Sequence, residues 1–97
     1  MKLFTREFLE NVQEILSIGF TDKSLVFCGE PMPGVRVSNK PIDCNEGFPL
    51  KADELITMEI NEQDIAQFEI REAGKPYREW VVPSLTLNTL AENIQHQ

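Results

Sequence analysis

Hydrophobic positions near the start of the chain follow a helical period. Phe8, Leu9, Val12, Ile15 and Leu16 fall within one arc of about 120° at 100° per residue, and Thr5 is placed to cap the helix they predict. Glu7, Glu10 and Glu14 line the opposite side, which reads as a solvated face, and Gly19 supplies the left-handed residue that commonly ends a helix. The short apolar run Ser24-Leu25-Val26-Phe27-Cys28 then reads as a buried strand.

From about residue 29 to 51 the pattern breaks down. Pro31, Pro33, Pro41 and Pro49 lie there with Gly29, Gly34 and Gly47, so an irregular loop is expected, with Val35-Arg36-Val37 as a short edge strand inside it. Beyond it the period becomes two. Met58 and Ile60, Ala66, Phe68 and Ile70, then Trp80 and Val82 alternate with Thr57, Glu59, Gln67, Glu69, Arg71 and Glu79, predicting three antiparallel strands with one core face. Their links would be Asn61-Glu62-Gln63-Asp64 and a loop from Ala73 to Tyr77. That second loop follows from a register pairing Ile70 with Trp80, Arg71 with Glu79 and Glu72 with Arg78, which matches charge and packing together. After Pro83, Ser84 or Thr86 would cap a last helix with Leu87, Leu90, Ala91 and Ile94 on one face, fraying at Gln95-His96-Gln97.

These elements predict a single α+β domain over residues 1–97: an antiparallel sheet of about four to five strands, with an N-terminal and a C-terminal helix packed on one face. The other face would be polar and wet, or would take a second subunit. An edge strand paired across a two-fold axis would give a homodimer.

Composition supports a folded domain, with 41% hydrophobic and 26% charged residues. Charge arrives early in Met1-Lys2-Leu3-Phe4-Thr5-Arg6-Glu7, so the expectation is a cytoplasmic chain without signal peptide or membrane span. Sixteen acidic against nine basic residues give a net charge of −7, which repels phosphate backbones and anionic lipid and argues against direct nucleic-acid or membrane binding. The same charge serves solubility or attracts a basic protein partner. The acidic hairpin side is its densest part, since Asp53 through Glu72 holds seven carboxylates against Arg71 alone.

Candidate chemistry is sparse. No phosphate loop, nucleophile elbow, HExxH or paired CxxC occurs, and Cys28 and Cys44 lack cysteine or histidine neighbours at zinc-ligand spacing. Free thiols are expected, with Cys28 packed in the core and Cys44 exposed in the loop beside Asp43 and Glu46, which disfavour its thiolate. The one histidine, His96, lies on a helix end expected to fray, where no general base is held in place. No catalytic, metal or cofactor residue is assigned.

By elimination, the sequence points to a non-enzymatic protein-interaction domain that uses the long loop and the acidic hairpin side. Met32, Ile42 and Phe48 are the loop's apolar candidates, and they either tuck beneath it or stay exposed as anchors; the small size of the domain favours tucking. Glu59, Glu62, Asp64 and Glu69 are the acidic candidates. Tyr77 is the aromatic one, free on its hairpin loop while Trp80 joins the core. One version of this reading is an acidic inhibitor or immunity-type protein that blocks a basic nucleic-acid-handling or toxin protein. The competing class is a small enzyme with a carboxylate or Cys44 site built at a subunit interface.

Overall fold

The first residues of the chain set the architecture, and they do so as a strand. In the computed structural model, which describes residues 1–27 and 29–97, β1 (Lys2–Glu7) precedes helix α1 (Leu9–Ser17). Leu3, Thr5 and Glu7 are buried and alternate with half-exposed Phe4 and Arg6. Two of the three inward positions are polar, which hid the period of two. Thr5 therefore caps nothing, and its hydroxyl donates to the carbonyl of Arg36 at 2.7 Å. Glu7 stands before the helix instead, its Oε1 accepting from the Phe8 N–H and from Asn11 Nδ2.

After α1 come β2 (Val26–Phe27), β3 (Glu30–Pro31), β4 (Val35–Ser38), β5 (Glu54–Glu59), α2 (Glu62–Ile65), β6 (Glu69–Ile70), β7 (Glu79–Val82), α3 (Ser84–Leu90) and β8 (Glu92–His96). Six strands form an antiparallel sheet in the order β6-β7-β4-β1-β5-β8, while β2 and β3 pair only with each other. The run from Ser24 thus gives an outlying ribbon with Val26 exposed, not a core strand; the expectation for Cys28 lies outside the described residues.

Strand β4 is interior, not an edge, lying between β7 and β1. Its prolines stop at Pro33, so each paired residue keeps its N–H. Gly34 fits the close approach that follows, since a Cβ there would stand 2.9 Å from the Val82 carbonyl oxygen.

The three strands expected between residues 54 and 83 do not form one meander. β5 and β7 are separated by β4 and β1, and the Asn61–Asp64 link is the start of α2, with Asn61 Oδ1 accepting the Gln63 N–H. Helical turns carry the chain through Ala66–Phe68, and Ile65 is the fully buried residue there. β6 pairs Glu69 with Trp80 and Ile70 with Glu79, one residue off the expected register. None of the three expected pairs forms, and the charges find other partners. Arg78 forks onto Glu69, Glu72 meets Lys75 at 3.0 Å, and the connecting loop runs from Arg71 to Arg78.

The last helix ends at Leu90, earlier than its apolar spacing suggested. The chain turns extended at Ala91 and forms β8, pairing His96 with Ile56 and Gln95 with Thr57. Hydrogen bonding along the open edge of β5 outweighs continuing the helix from Ala91 through Ile94. The His96 end is accordingly held, with Nε2 2.8 Å from Glu54 Oε1.

One cluster forms the core. Leu3, Val35, Val37, Ile56, Met58, Trp80 and Val82 of the sheet meet Val12 and Ile15 of α1 and Leu87 of α3, whereas Leu9 and Leu16 face outward. Cross-strand register puts Phe4, Arg36, Ser38, Thr57, Glu79 and Val81 on the other face. Ser38, Thr57, Glu79 and Val81 are buried, so this face is not simply wet. Among the described residues no helix is long and apolar enough to cross a membrane.

Asn88 of α3 ties the end of α1 in place, accepting the Phe20 N–H at 2.7 Å and donating to the Phe20 carbonyl at 2.9 Å. Gly19 leaves room for it, because a Cβ there would lie 2.6 Å from Asn88 Oδ1, and its φ of 123° disfavours any side chain. Asn88→Ala is expected to lower stability by about 1–3 kcal/mol, read as a lower urea midpoint at unchanged slope.

Candidate functional site

Strands β1 and β4 run side by side at Phe4 and Ser38 and then part, with no further paired residues between them. Thr5 bridges the opening through its bond to the Arg36 carbonyl. Where the strands diverge, a cleft of about 270 Å³ opens, walled by Phe8 and Leu25 on one side and by Phe48, Pro49 and Ala52 on the other, with Val35 among its lining. Val26 and Leu50, next in sequence to two of these wall residues, are 68% and 77% exposed.

The proline-rich segment forms the second wall because it carries its own turn chemistry. Asp43 and Glu46 make a reciprocal capping box over the 3₁₀ turn Cys44–Glu46, and Gly47 takes the left-handed conformation (φ 104°) that ends the turn. The Phe48 N–H then returns to the Asp43 carbonyl. Arg36 fastens this turn to the sheet. Its Nη2 donates to the Glu46 carbonyl at 2.7 Å and to Glu79 Oε2 at 3.0 Å, and its guanidinium lies 4.8 Å from the Phe48 ring and 5.8 Å from Phe27.

Charge in the cleft comes from Arg6, Glu7, Lys23 and Arg36. Glu7 is paired with Lys23 at 2.7 Å. Burial of the Glu7 carboxyl pushes its pKa up, but the bonds from Lys23, Asn11 and the Phe8 N–H outweigh burial and hold it below the usual value of 4.5. Arg6 is spent differently: Nε donates to the Ile42 carbonyl and Nη1 to that of Asp53, both at 2.9 Å, and no carboxylate pairs with it among the described residues.

The residues expected from sequence divide between the two ends of β1 and the sheet edge beyond. Phe48 lines the cleft, Ile42 is buried, and Met32 is half-buried with its N–H bonded to the Leu25 carbonyl. At the other end of β1, Glu59, Glu62 and Asp64 come together with Glu92 around an open groove of about 630 Å³ that also touches Met1 and Leu90. Glu69 and half-buried Tyr77 lie at the β6 edge. Arg78 joins Glu69 to Glu62 there, and its hydrogen bonds hold the Glu69 carboxyl below the usual range and raise its own pKa.

No family model matches the chain, and no curated protein or solved structure matches it.

Sequence reasoning missed Arg6, Glu7, Lys23 and Arg36, because each looks like an ordinary surface charge until the topology gathers them. Cys44 is exposed and free, and among the described residues no three of His, Cys, Asp and Glu are grouped to hold a metal ion.

Two outcomes are expected. Glu79→Gln, which leaves Arg36 buried without its counter-charge, should cost about 3–5 kcal/mol, whereas replacing both Arg36 and Glu79 by apolar residues should cost less than that single change; urea unfolding of the variants measures both. Glu7→Gln should lower stability at neutral pH, and its deficit should shrink as pH falls below 4.5 and wild-type Glu7 protonates through its lowered pKa. Parallel denaturation curves across that range would show the convergence.

Proposed function

We propose that this chain is a non-enzymatic protein-interaction domain that engages its partner through the 29–51 loop and the cleft the loop helps to wall. What carries this reading is the cleft itself: an apolar hollow with Leu25, Phe48 and Pro49 in its walls, and with the exposed Val26 and Leu50 next in sequence to two of them. Small-molecule sites are usually about 300–1,000 Å³. A cleft just under that range suits one or two side chains of a protein, and the exposed apolar residues on the same two chain segments would add area that a small molecule would leave wet.

A second reading rests on the acidic groove at the far end of β1. Glu59, Glu62, Asp64 and Glu92 stand around it with exposed Leu90 and Met1 to hand, which suits an acidic inhibitor of a basic protein. The two readings put the partner at opposite ends of one strand.

Capture from native lysate with paired variants separates them. Val26→Ser with Leu50→Ser should leave stability within about 0.5 kcal/mol and reduce capture of the partner about tenfold or more, while Glu62→Gln with Asp64→Asn leaves it intact. The reverse pattern, with capture lost in high salt, would replace the first reading by the second.

A further inference from the structure

We infer that the cleft between β1 and β4 receives the C-terminal residue of a partner chain, an apolar side chain carrying a free carboxylate. The inference rests on the interaction reading above and names the partner's chemistry. In a protein of net charge −7, this hollow is lined by Arg6, Lys23 and Arg36 against Glu7 alone. The charge of Lys23 is met by Glu7 and that of Arg36 by Glu79, both in contact. Arg6 remains. Its guanidinium is held in place by two main-chain carbonyls, which orient it without neutralising it. A fixed cation beside apolar walls is complementary to a ligand that joins an apolar body to an anion.

Size narrows the ligand further. About 270 Å³ admits one leucine- or phenylalanine-sized group with its carboxylate, and little more. An aspartate or glutamate within a partner would bring charge without the apolar body, and its apolar neighbour would need a second pocket. The last residue of a chain carries both on one unit. Phe8, Leu25 and Phe48 would surround its side chain, with Arg6 at the carboxylate.

The test is calorimetric titration of the intact protein with a short acetylated peptide ending in leucine, against the same peptide amidated. The free acid is expected to bind, and the amide to bind about tenfold more weakly, the loss of one charge-assisted contact. Ser24→Trp, which fills the cleft from an exposed position and leaves Arg6 alone, should abolish binding, and Arg6→Gln should weaken it about tenfold in a chain that keeps its far-UV spectrum. Should Arg6→Gln fail to fold, the amide comparison and Ser24→Trp still decide. Equal binding of acid and amide would overturn the carboxylate assignment and leave the interaction reading standing. Because the cleft holds only the terminal residue, N-acetylleucine is expected to bind about as tightly as the peptide, and binding of N-acetylleucine with none of the peptide would overturn the assignment to a chain terminus in favour of small free acids. If no peptide binds while partner capture still depends on Val26 and Leu50, this inference falls alone; if neither holds, both fall.

Discussion

The interaction on which this structure turns is the buried pair of Arg36 on β4 and Glu79 on β7. Two charges with side chains only 10% and 2% exposed would be costly to bury singly, and they are tolerable because each meets the other at 3.0 Å and Arg36 also finds the Glu46 carbonyl. Through that second bond the pair reaches beyond the sheet. It fixes the 3₁₀ turn and Phe48 against a sheet face that would otherwise be wet, and so gives the cleft one of its walls. The satisfaction is incomplete: Arg36 Nε and Glu79 Oε1 have no hydrogen-bond partner among the described residues, although Lys75 stands 3.7 Å from Glu79. A buried pair of this kind favours one arrangement of the loop over others more than it adds stability.

The second constraint is the incomplete seam between β1 and β4. A fully paired seam would have run from Phe4 and Ser38 on past Arg6 and Arg36, and there would be no cleft. Thr5 makes the divergence affordable, since its hydroxyl satisfies the Arg36 carbonyl that a ladder partner would have taken. On the other flank β1 pairs with β5 along its whole length, from Lys2 with Glu59 to Glu7 with Glu54. Strand β1 is thus rigid on one side and open on the other, and rigid support beside an opening is what a binding site needs.

How much of this could be read from the residues depends on the range of the interaction that decides each element. The helix over Leu9–Ser17 and the strand at Glu54–Glu59 carry their periods in the chain, and both form in those stretches, although the helix begins after Phe8 and not after Thr5. Strand β1 was illegible because Thr5 and Glu7 are polar yet buried, each for the sake of a partner distant in sequence, Arg36 and Lys23. The spacing of Leu87, Leu90, Ala91 and Ile94 is helical, and only the unpaired edge of β5 turns Glu92–His96 into a strand. The hairpin register missed by one because the cross-strand rule weighed Arg71, which is 84% exposed, where Arg78 holds the carboxylates. For the site the same holds: Phe48 was singled out for being apolar in an irregular segment, whereas the four charges of the cleft acquire their meaning only from topology.

Topology also reconciles an acidic protein with a basic hollow. β1 carries the cleft at its Glu7 end and the acidic groove at its Met1 end, about 17 Å apart at 3.4 Å per residue. At physiological ionic strength exposed charges are screened over about 8 Å. The two ends are therefore electrostatically separate at close range, and the net charge of −7, which governs approach from a distance, does not dictate what each end accepts on contact. Glu59, Glu62, Asp64 and Glu92 stand around an open groove, where exposed charges are easily screened, while Arg6 lies half-buried beside apolar side chains, where a charge is screened less. Net charge and local charge can thus differ in sign within one small domain, because the first sums over the surface while the second is set by which strands meet.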